Sequence, residues 1–329
     1  MQPAVGVPRW SQLERLGAGT FGLVFRVRNQ ATGNEYAAKV STGPGKSNDM
    51  LKKEIQVHSR LTHPNIIQYV NSFDMLECGG GSIIQVDPQG LLSGNTVCIC
   101  MLLELANGGE LHKKVKPRYG LPAEDVRKYG REVVGAMIYL KEQGILHRDI
   151  KLENILLHNG VAKLADFGFA CFIEEVDSLD KLDGTPLYFA PEMISSTKYS
   201  FQSDVWALGC VMYGMIEGRL PFNGRNLPDL GTKVLANARR PFKEDRFDSL
   251  GMLLMTDPNQ RVRIENVLHL DFFNQQDADS SIELPDFKRL KMEFGDGTRE
   301  AFYMYLAGRN PDESPMSMNE FNDLYDRLY

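Results

Sequence analysis

The stretch ILHRDIKLENILL, residues 145–157, constrains the chain more than any other, together with LADFG, which places Asp166 eleven residues past Ile155. Apolar segments flank a run of charged and amide side chains. Such a run is out of place in a core unless it performs a task. Any one of Asp149, Asn154 and Asp166 reads equally well as a loop cap. All three in this order supply oxygen ligands and a base of the kind that hard Mg²⁺ and a hydroxyl substrate require.

A second feature lies near the N-terminus. LERLGAGTFGLVFRVRN is followed by the turn QATGN and by EYAAKV, a pattern of two strands joined as a hairpin. Gly17, Gly19 and Gly22 stand in the first bend, and by themselves they read as a flexible turn or as a phosphate-binding flap. A dinucleotide-binding loop must open a helix. Here Leu23 to Val27 continues as a strand, so that reading is excluded. Glycines between two strands let backbone N–H groups approach phosphate oxygens with no side chain in the way. In the flap reading, Val24 and Ala37 face an adenine and Lys39 reaches the phosphates. The segment after Lys39 predicts a helix over about 48–61, with Leu51, Ile55 and Leu61 as its apolar stripe. That helix offers Glu54 as partner for Lys39 and ends before His63-Pro64.

In these motifs the chain resembles the eukaryotic protein kinase family of serine/threonine type. The Gly-rich loop is GAGTFGLV, the strand lysine lies in YAAK, the catalytic loop is HRDIKLEN, and DFG and APE stand at 166–168 and 190–192. SDVWALG (Asp204, Trp206, Gly209) and DPNQR (Arg261) continue the likeness, which covers roughly residues 10–274. HRDIKLEN, GGEL and GTPLYFAPE look closest to calmodulin-dependent/AMP-activated-like kinases and to checkpoint or Unc-51-like kinases.

The resemblance implies an α+β, bilobal protein kinase fold: a small antiparallel β lobe with one main helix, and a large, mostly helical lobe. It implies ATP and Mg as cofactors and protein substrates bearing Ser or Thr. By position, Lys39 binds the α/β-phosphates, held by Glu54. Asp149 orients the attacking hydroxyl and takes its proton, Lys151 neutralises the moving phosphoryl group, and Asn154 and Asp166 hold the metal. Leu16, Gly17, Ala18, Gly19, Thr20, Phe21, Gly22, Val24, Ala37, Leu103, Glu104, Ala106, Glu110 and Leu156 fall at nucleotide-site positions. Leu103 is the gatekeeper, and the backbone of Glu104 and Ala106 pairs with adenine. Glu110 and Glu153 match positions that often read basic residues before the phosphoacceptor; a basophilic preference and a role as solvated acids both fit. His58, four residues after Glu54, stands where the family usually places an apolar residue stacking towards Phe167; a polar residue there either loosens the active arrangement or is tolerated, as in other serine/threonine kinases.

The likeness makes residues 166–192 an activation segment, in which Arg148 normally pairs with a phosphate. Between Ser178 and Thr185, however, the sequence is LDKLDG, with no Ser or Thr. Thr185 reads as the threonine that bonds Asp149 and Lys151, and Glu192 as the partner of Arg261. Two readings follow: Asp180 or Asp183 pairs with Arg148 in place of a phosphate, or Ser178 is a displaced phosphorylation site.

Domain limits are expected at 1–9 (N-terminal extension), 10–106 (small lobe and hinge, with an insertion at about 75–95), 107–274 (large lobe) and 275–329 (tail). Residues 275–329 hold 12 acidic and 6 basic residues and so carry the whole net charge of −6, leaving 31 of each sign before them. A balanced body without a basic block argues against nucleic acid as the main partner. The tail is rich in aromatics, which suggests packing on a docking partner or back on the large lobe as an autoinhibitor. No apolar run approaches a membrane span; the best, Val97 to Leu103, stops at Glu104. Five scattered cysteines and no secretory signal suit an intracellular, cytoplasmic or nuclear protein. The competing functional class is a nucleotide-binding pseudokinase scaffold. Such proteins usually lose the strand lysine, the catalytic aspartate or the metal aspartate, and this chain keeps Lys39, Asp149 and Asp166. A kinase acting on small molecules fits less well, because Gly-Thr-Pro before APE suits a platform for protein substrates.

Overall fold

A computed structural model of the chain describes residues 10–19, 22–42, 45–74, 98–178 and 181–274. The expected N-terminal extension, the insertion at 75–95 and the tail at 275–329 lie outside these residues, as do Thr20, Phe21 and Asp180. The small lobe is a five-stranded antiparallel sheet in the order β1-β2-β3-β5-β4. Its strands are β1 (Trp10–Gly19), β2 (Gly22–Asn29), β3 (Glu35–Ser41), β4 (Tyr69–Asp74) and β5 (Ile99–Glu104). The β2–β3 hairpin closes where the Asn29 side chain accepts from the backbone N–H groups of Ala31 and Thr32 at 2.9 and 3.2 Å.

Helix α1 (Lys46–His58) follows β3. It starts two residues before the expected helix and stops three residues before its expected end. Pro64 is not the stop: Arg60 and Leu61 already donate to Val57 and His58 in tight turns past the helix end. The buried face of α1 carries Leu51, Glu54, Val57 and His58. The three- and four-residue steps from Leu51 to Glu54 and on to His58 put a carboxylate and an imidazole on the apolar stripe.

The large lobe is built around α2 (Ala123–Glu142) and α4 (Phe201–Glu217). The α4 run VWALGCVMYGMI is apolar on every side, the pattern of a helix buried on every side, and all of Ser203–Glu217 is buried. Its start is fixed by a capping box between Ser200 and Ser203. Between these two helices come β6 (Ile145–Leu146), the hairpin β7 (Ile155–His158) and β8 (Val161–Leu164), and β9 (Cys171–Phe172), which pairs back on β6. Shorter helices α3 (Pro191–Ser196), α5 (Leu227–Leu235) and α6 (Asp271–Asn274) complete the lobe. Two small apolar clusters serve the sheet and one large cluster serves the helical lobe. This is the bilobal kinase fold. It sets the loop 165–170 beside β3 and α1, and His147 of the loop 147–154 against Phe167.

Candidate active site

Lys39 is central to β3 and 4% exposed. Its Nζ donates to both oxygens of Glu54 on α1, at 2.8 and 2.7 Å, and to Asp166 Oδ1 at 2.8 Å. Burial works against the ammonium, but the two carboxylates outweigh it and hold its pKa above the usual value. Burial likewise opposes the Asp166 anion, and Lys39 overrides it to keep that carboxyl below the ordinary range. The lysine therefore joins three segments of the chain as a permanent cation.

The loop 147–154 is pinned from below. Asp204, in the first turn of α4, accepts from the backbone N–H groups of His147 at 2.9 Å and Arg148 at 3.0 Å. Arg148 and Asp166 both hold positive φ, 67° and 59°, a region that non-glycine residues enter only under constraint. Asp149 is 4% exposed. Its Oδ1 accepts from Thr185 Oγ1 at 2.7 Å, and its Oδ2 from Lys151 Nζ at 2.6 Å and Asn154 Nδ2 at 3.0 Å. Lys151 also donates to Thr185 Oγ1 at 2.9 Å.

These groups suit a hard cation. The hydrogen bonds of the Asn154 side chain, to Asp149 O and Oδ2, both use its nitrogen, which leaves the amide oxygen as a ligand. Asp166 is engaged through Oδ1, by Lys39 and by the Gly168 N–H, so its second oxygen remains. Among the described residues no cluster of three or more His, Cys, Asp or Glu could hold a metal by itself. Mg²⁺ needs none, because it binds through one or two side chains, waters and substrate phosphates.

Strand register sets the nucleotide-facing residues. Val24 pairs with Lys39, Ala37 pairs with Leu103, and Ala37 and Lys39 are two apart on β3. Val24, Ala37, Lys39 and Leu103 thus share one face of the sheet. Leu16 is 45% exposed on β1, and Leu156 lies opposite Glu110 in an isolated bridge. The Glu104 N–H is taken by Gln68 O at 2.9 Å. The Glu104 carboxylate accepts from Lys163 at 2.9 Å and from the Gln68 N–H at 3.1 Å. Two glycines of the loop differ in kind. A Cβ on Gly22 would stand 2.2 Å from Val40 O, so packing alone demands glycine there. A Cβ on Gly17 would meet nothing within 4 Å, so the fold leaves that space free for a ligand. Ala18 and Gly19 end β1; Thr20 and Phe21 are not described.

In the activation segment, Arg148 meets Asp183 at 3.4 Å, and Arg261 forks onto Glu192 at 2.7 and 3.0 Å. Ser178 is exposed and donates to Glu175 O at 2.6 Å. Glu110 accepts from Lys113 at 3.0 Å, and the exposed Glu153 from Tyr188 at 3.3 Å.

Of the two readings of His58, the loosening one is not met by the geometry. Its ring packs 4.5 Å from Phe167, which in turn lies 4.9 Å from His147. Nε2 bonds Ile67 O at 2.6 Å. The imidazole behaves as an aromatic plate because burial drops its pKa to about 4 and keeps it neutral. That depression sets a pH dependence. The unfolded chain takes up a proton near 6.5 and the folded one only near 4, so stability falls as pH drops through this window, by roughly 2 kcal/mol at pH 5. His58→Leu removes that term. Its melting temperature is expected to fall less between pH 7 and pH 5 than that of the wild type, whatever the change costs at pH 7. Equal losses would contradict the neutral-plate account.

The sequence marks Asp204 within a family motif but not its anchoring role, and it marks neither the packing of His147 nor Tyr199, whose ring lies 4.1 Å under the Arg148 guanidinium. An aspartate in the first turn of an otherwise apolar helix was the one available signal.

Residues 10–273 match the family model described as protein kinase domain, and the chain belongs to that family. Among curated proteins it is 32% identical to NUAK family SNF1-like kinase 2 of Rattus norvegicus, over 79% of this chain and 39% of the relative. It is 30% identical to probable serine/threonine-protein kinase fhkD of Dictyostelium discoideum, over 80% of this chain and 36% of the relative. It is 28% identical to DNA damage response protein kinase DUN1 of Saccharomyces cerevisiae, over 85% and 58%. Against the first two of these the chain spans under two-fifths of the relative's length.

Proposed function

We propose that the protein is an ATP- and Mg-dependent serine/threonine protein kinase. The observation that carries the reading is the Asp149 carboxylate, buried yet contacted by Lys151, Asn154 and Thr185, in one unit with the Lys39–Glu54–Asp166 triangle. The names of the relatives support the same reaction class.

Nucleotide binding falls to Val24, Ala37, Leu103 and Leu156 around adenine, with the carbonyl of Glu104 and the backbone of Ala106 as hydrogen-bonding edges. Lys39 holds the α- and β-phosphates, and Glu54 fixes the rotamer of that lysine. Asn154 and Asp166 hold Mg²⁺, which when bound neutralises phosphate charge. Asp149 aligns the acceptor hydroxyl and takes its proton, while Lys151, steered by Thr185, balances negative charge on the transferred group. The work is positioning and electrostatics, which suits parts drawn from distant segments.

Glu110 and Glu153 are the acids that a basic residue ahead of the acceptor would meet. Both already have internal partners, so the basic preference they lend is weak. A nucleotide-binding scaffold lacks support, because Lys39, Asp149 and Asp166, which such proteins usually lose, are all present in the sequence. Cys98, Cys100, Cys171 and Cys210 are all buried. Among the described residues no helix is long and apolar enough to cross a membrane.

Transfer of the γ-phosphate to degenerate peptides tests the reading. Serine and threonine peptides are expected to be labelled in an Mg-dependent manner and tyrosine peptides not. Labelling confined to tyrosine would overturn it.

A further inference from the structure

Arg148 presents an unusual problem of compensation. Its side chain is 5% exposed, its φ is 67°, and its Nε has no hydrogen-bond partner among the described residues. A buried guanidinium needs negative charge beside it. In a segment that carries a phosphate, that charge arrives on a hydroxyl. Here residues 179–184 are LDKLDG, and the next hydroxyl, on Thr185, is committed to Asp149 and Lys151.

Besides the thiol of Cys171 and the charge of Asp204, further contacts meet the guanidinium. The carbonyl of Phe169 accepts from Nη1 at 3.0 Å, the carboxylate of Asp183 lies 3.4 Å from Nη2, and the ring of Tyr199 lies 4.1 Å beneath Cζ. The same tyrosine holds Asp183 in place. Its hydroxyl accepts from the Asp183 N–H at 2.5 Å and donates to the Asp183 carbonyl at 2.8 Å, which uses both its donor and an acceptor lone pair. Tyr199 is 5% exposed and directly precedes the Ser200 cap of α4, so the hold comes from the rigid centre of the lobe.

The clasp runs on into the catalytic groups. Gly184 has φ 106°, and a Cβ there would stand 2.7 Å from Arg148 O, so the segment lies flat on the catalytic loop at that point. Thr185 follows and contacts Asp149 and Lys151. Displacing Asp183 therefore displaces, two residues on, the hydroxyl that orients the base.

We infer that Asp183 and Tyr199 are positioning residues that hold the activation segment in its productive arrangement with no phosphate on it. A carboxylate brings one negative charge where a phosphate brings about 1.5 to 2. The Tyr199 π-face and the Phe169 carbonyl make up part of the difference. The inference rests on the phosphotransfer reading above.

The test uses the full chain made in bacteria, treated with phosphatase and shown by mass spectrometry to carry no phosphate on 166–192. Unphosphorylated wild type is expected to transfer phosphate at a rate within about threefold of the same protein phosphorylated at Ser178, because the negative charge Arg148 needs is already in place. Asp183→Asn, which keeps the shape and removes the charge, is expected to lose about tenfold in kcat with the KM for ATP little changed; Asp183→Glu should recover most of it. Tyr199→Phe keeps the ring under Arg148 and loses both backbone bonds, and should match Asp183→Asn. Pairing Arg148→Met with Asp183→Asn should cost no more than Arg148→Met alone. A wild type that is inert until Ser178 is phosphorylated, or an Asp183→Asn variant at full rate, would overturn the inference. Absence of transfer in both phosphorylation states, with Mg–ATP binding intact by thermal shift, would instead remove the phosphotransfer reading and this inference with it.

Discussion

Asp149→Asn is expected to lower kcat about 10³-fold, within the range that a positioned general base supplies, while Mg–ATP binds nearly as before. Two effects add. The amide cannot take the proton of the acceptor hydroxyl. It also cannot satisfy its surroundings, since donors approach both carboxylate oxygens: Thr185 at one, Lys151 and Asn154 at the other. Turned towards Lys151 and Asn154, its NH₂ faces only donors; turned towards Thr185, it is accommodated only if that hydroxyl reverses and gives up its present bond, so the contacts change either way. Nucleotide affinity is spared because Lys39 binds both Glu54 and Asp166, whereas the Asp149 side chain bonds Thr185, Lys151 and Asn154. Peptide-phosphorylation kinetics with ATP titration check both halves.

Arg261→Ala is the largest stability effect expected. Arg261 is 2% exposed and its guanidinium makes two bonds to Glu192, at 2.7 and 3.0 Å. Others reach the carbonyls of Met255, Gln202 and Thr256, and its Cζ lies 5.1 Å from the Trp206 ring. Truncation leaves a carboxylate, 14% exposed, and three carbonyls without their partner. Breaking one side of such a pair costs about 3–5 kcal/mol, or roughly 10 °C in melting temperature for a domain of this size. Arg261→Lys restores the charge but not the planar fork, and should recover less than half. Because Glu192 opens α3 at the end of the activation segment, local unfolding there should exceed that elsewhere, as measured by hydrogen exchange.

How much of this was legible in the sequence depends on the range of the contact. The catalytic loop, the metal loop and the strand lysine stand out because charged residues interrupt apolar runs in ways a core does not tolerate. The pairing of Lys39 with Glu54 could be anticipated as well, because a buried lysine requires a carboxylate and the next helix offered one. The end of α1 was misplaced because the proline at 64 drew the boundary, whereas the chain already turns at Ser59 and Arg60. His58 is ambiguous in the sequence for a different reason. Sequence marks it as polar, but full burial makes it neutral, and only the packing of Phe167 and the Ile67 carbonyl reveal that. Tyr199 was invisible, since its partners lie 16 and 51 residues away in the chain and no local pattern links them.

The central claim is that the buried carboxylate of Asp149 serves phosphoryl transfer and not merely nucleotide recognition. The most direct measurement sets turnover beside binding: γ-phosphate transfer to a serine peptide and the thermal shift with Mg–ATP, for wild type and Asp149→Asn in parallel. The account predicts many turnovers by the wild type, transfer about 10³-fold slower by Asp149→Asn, and similar thermal shifts for both. Equal transfer by the two proteins, or nucleotide binding without transfer by the wild type, would contradict it.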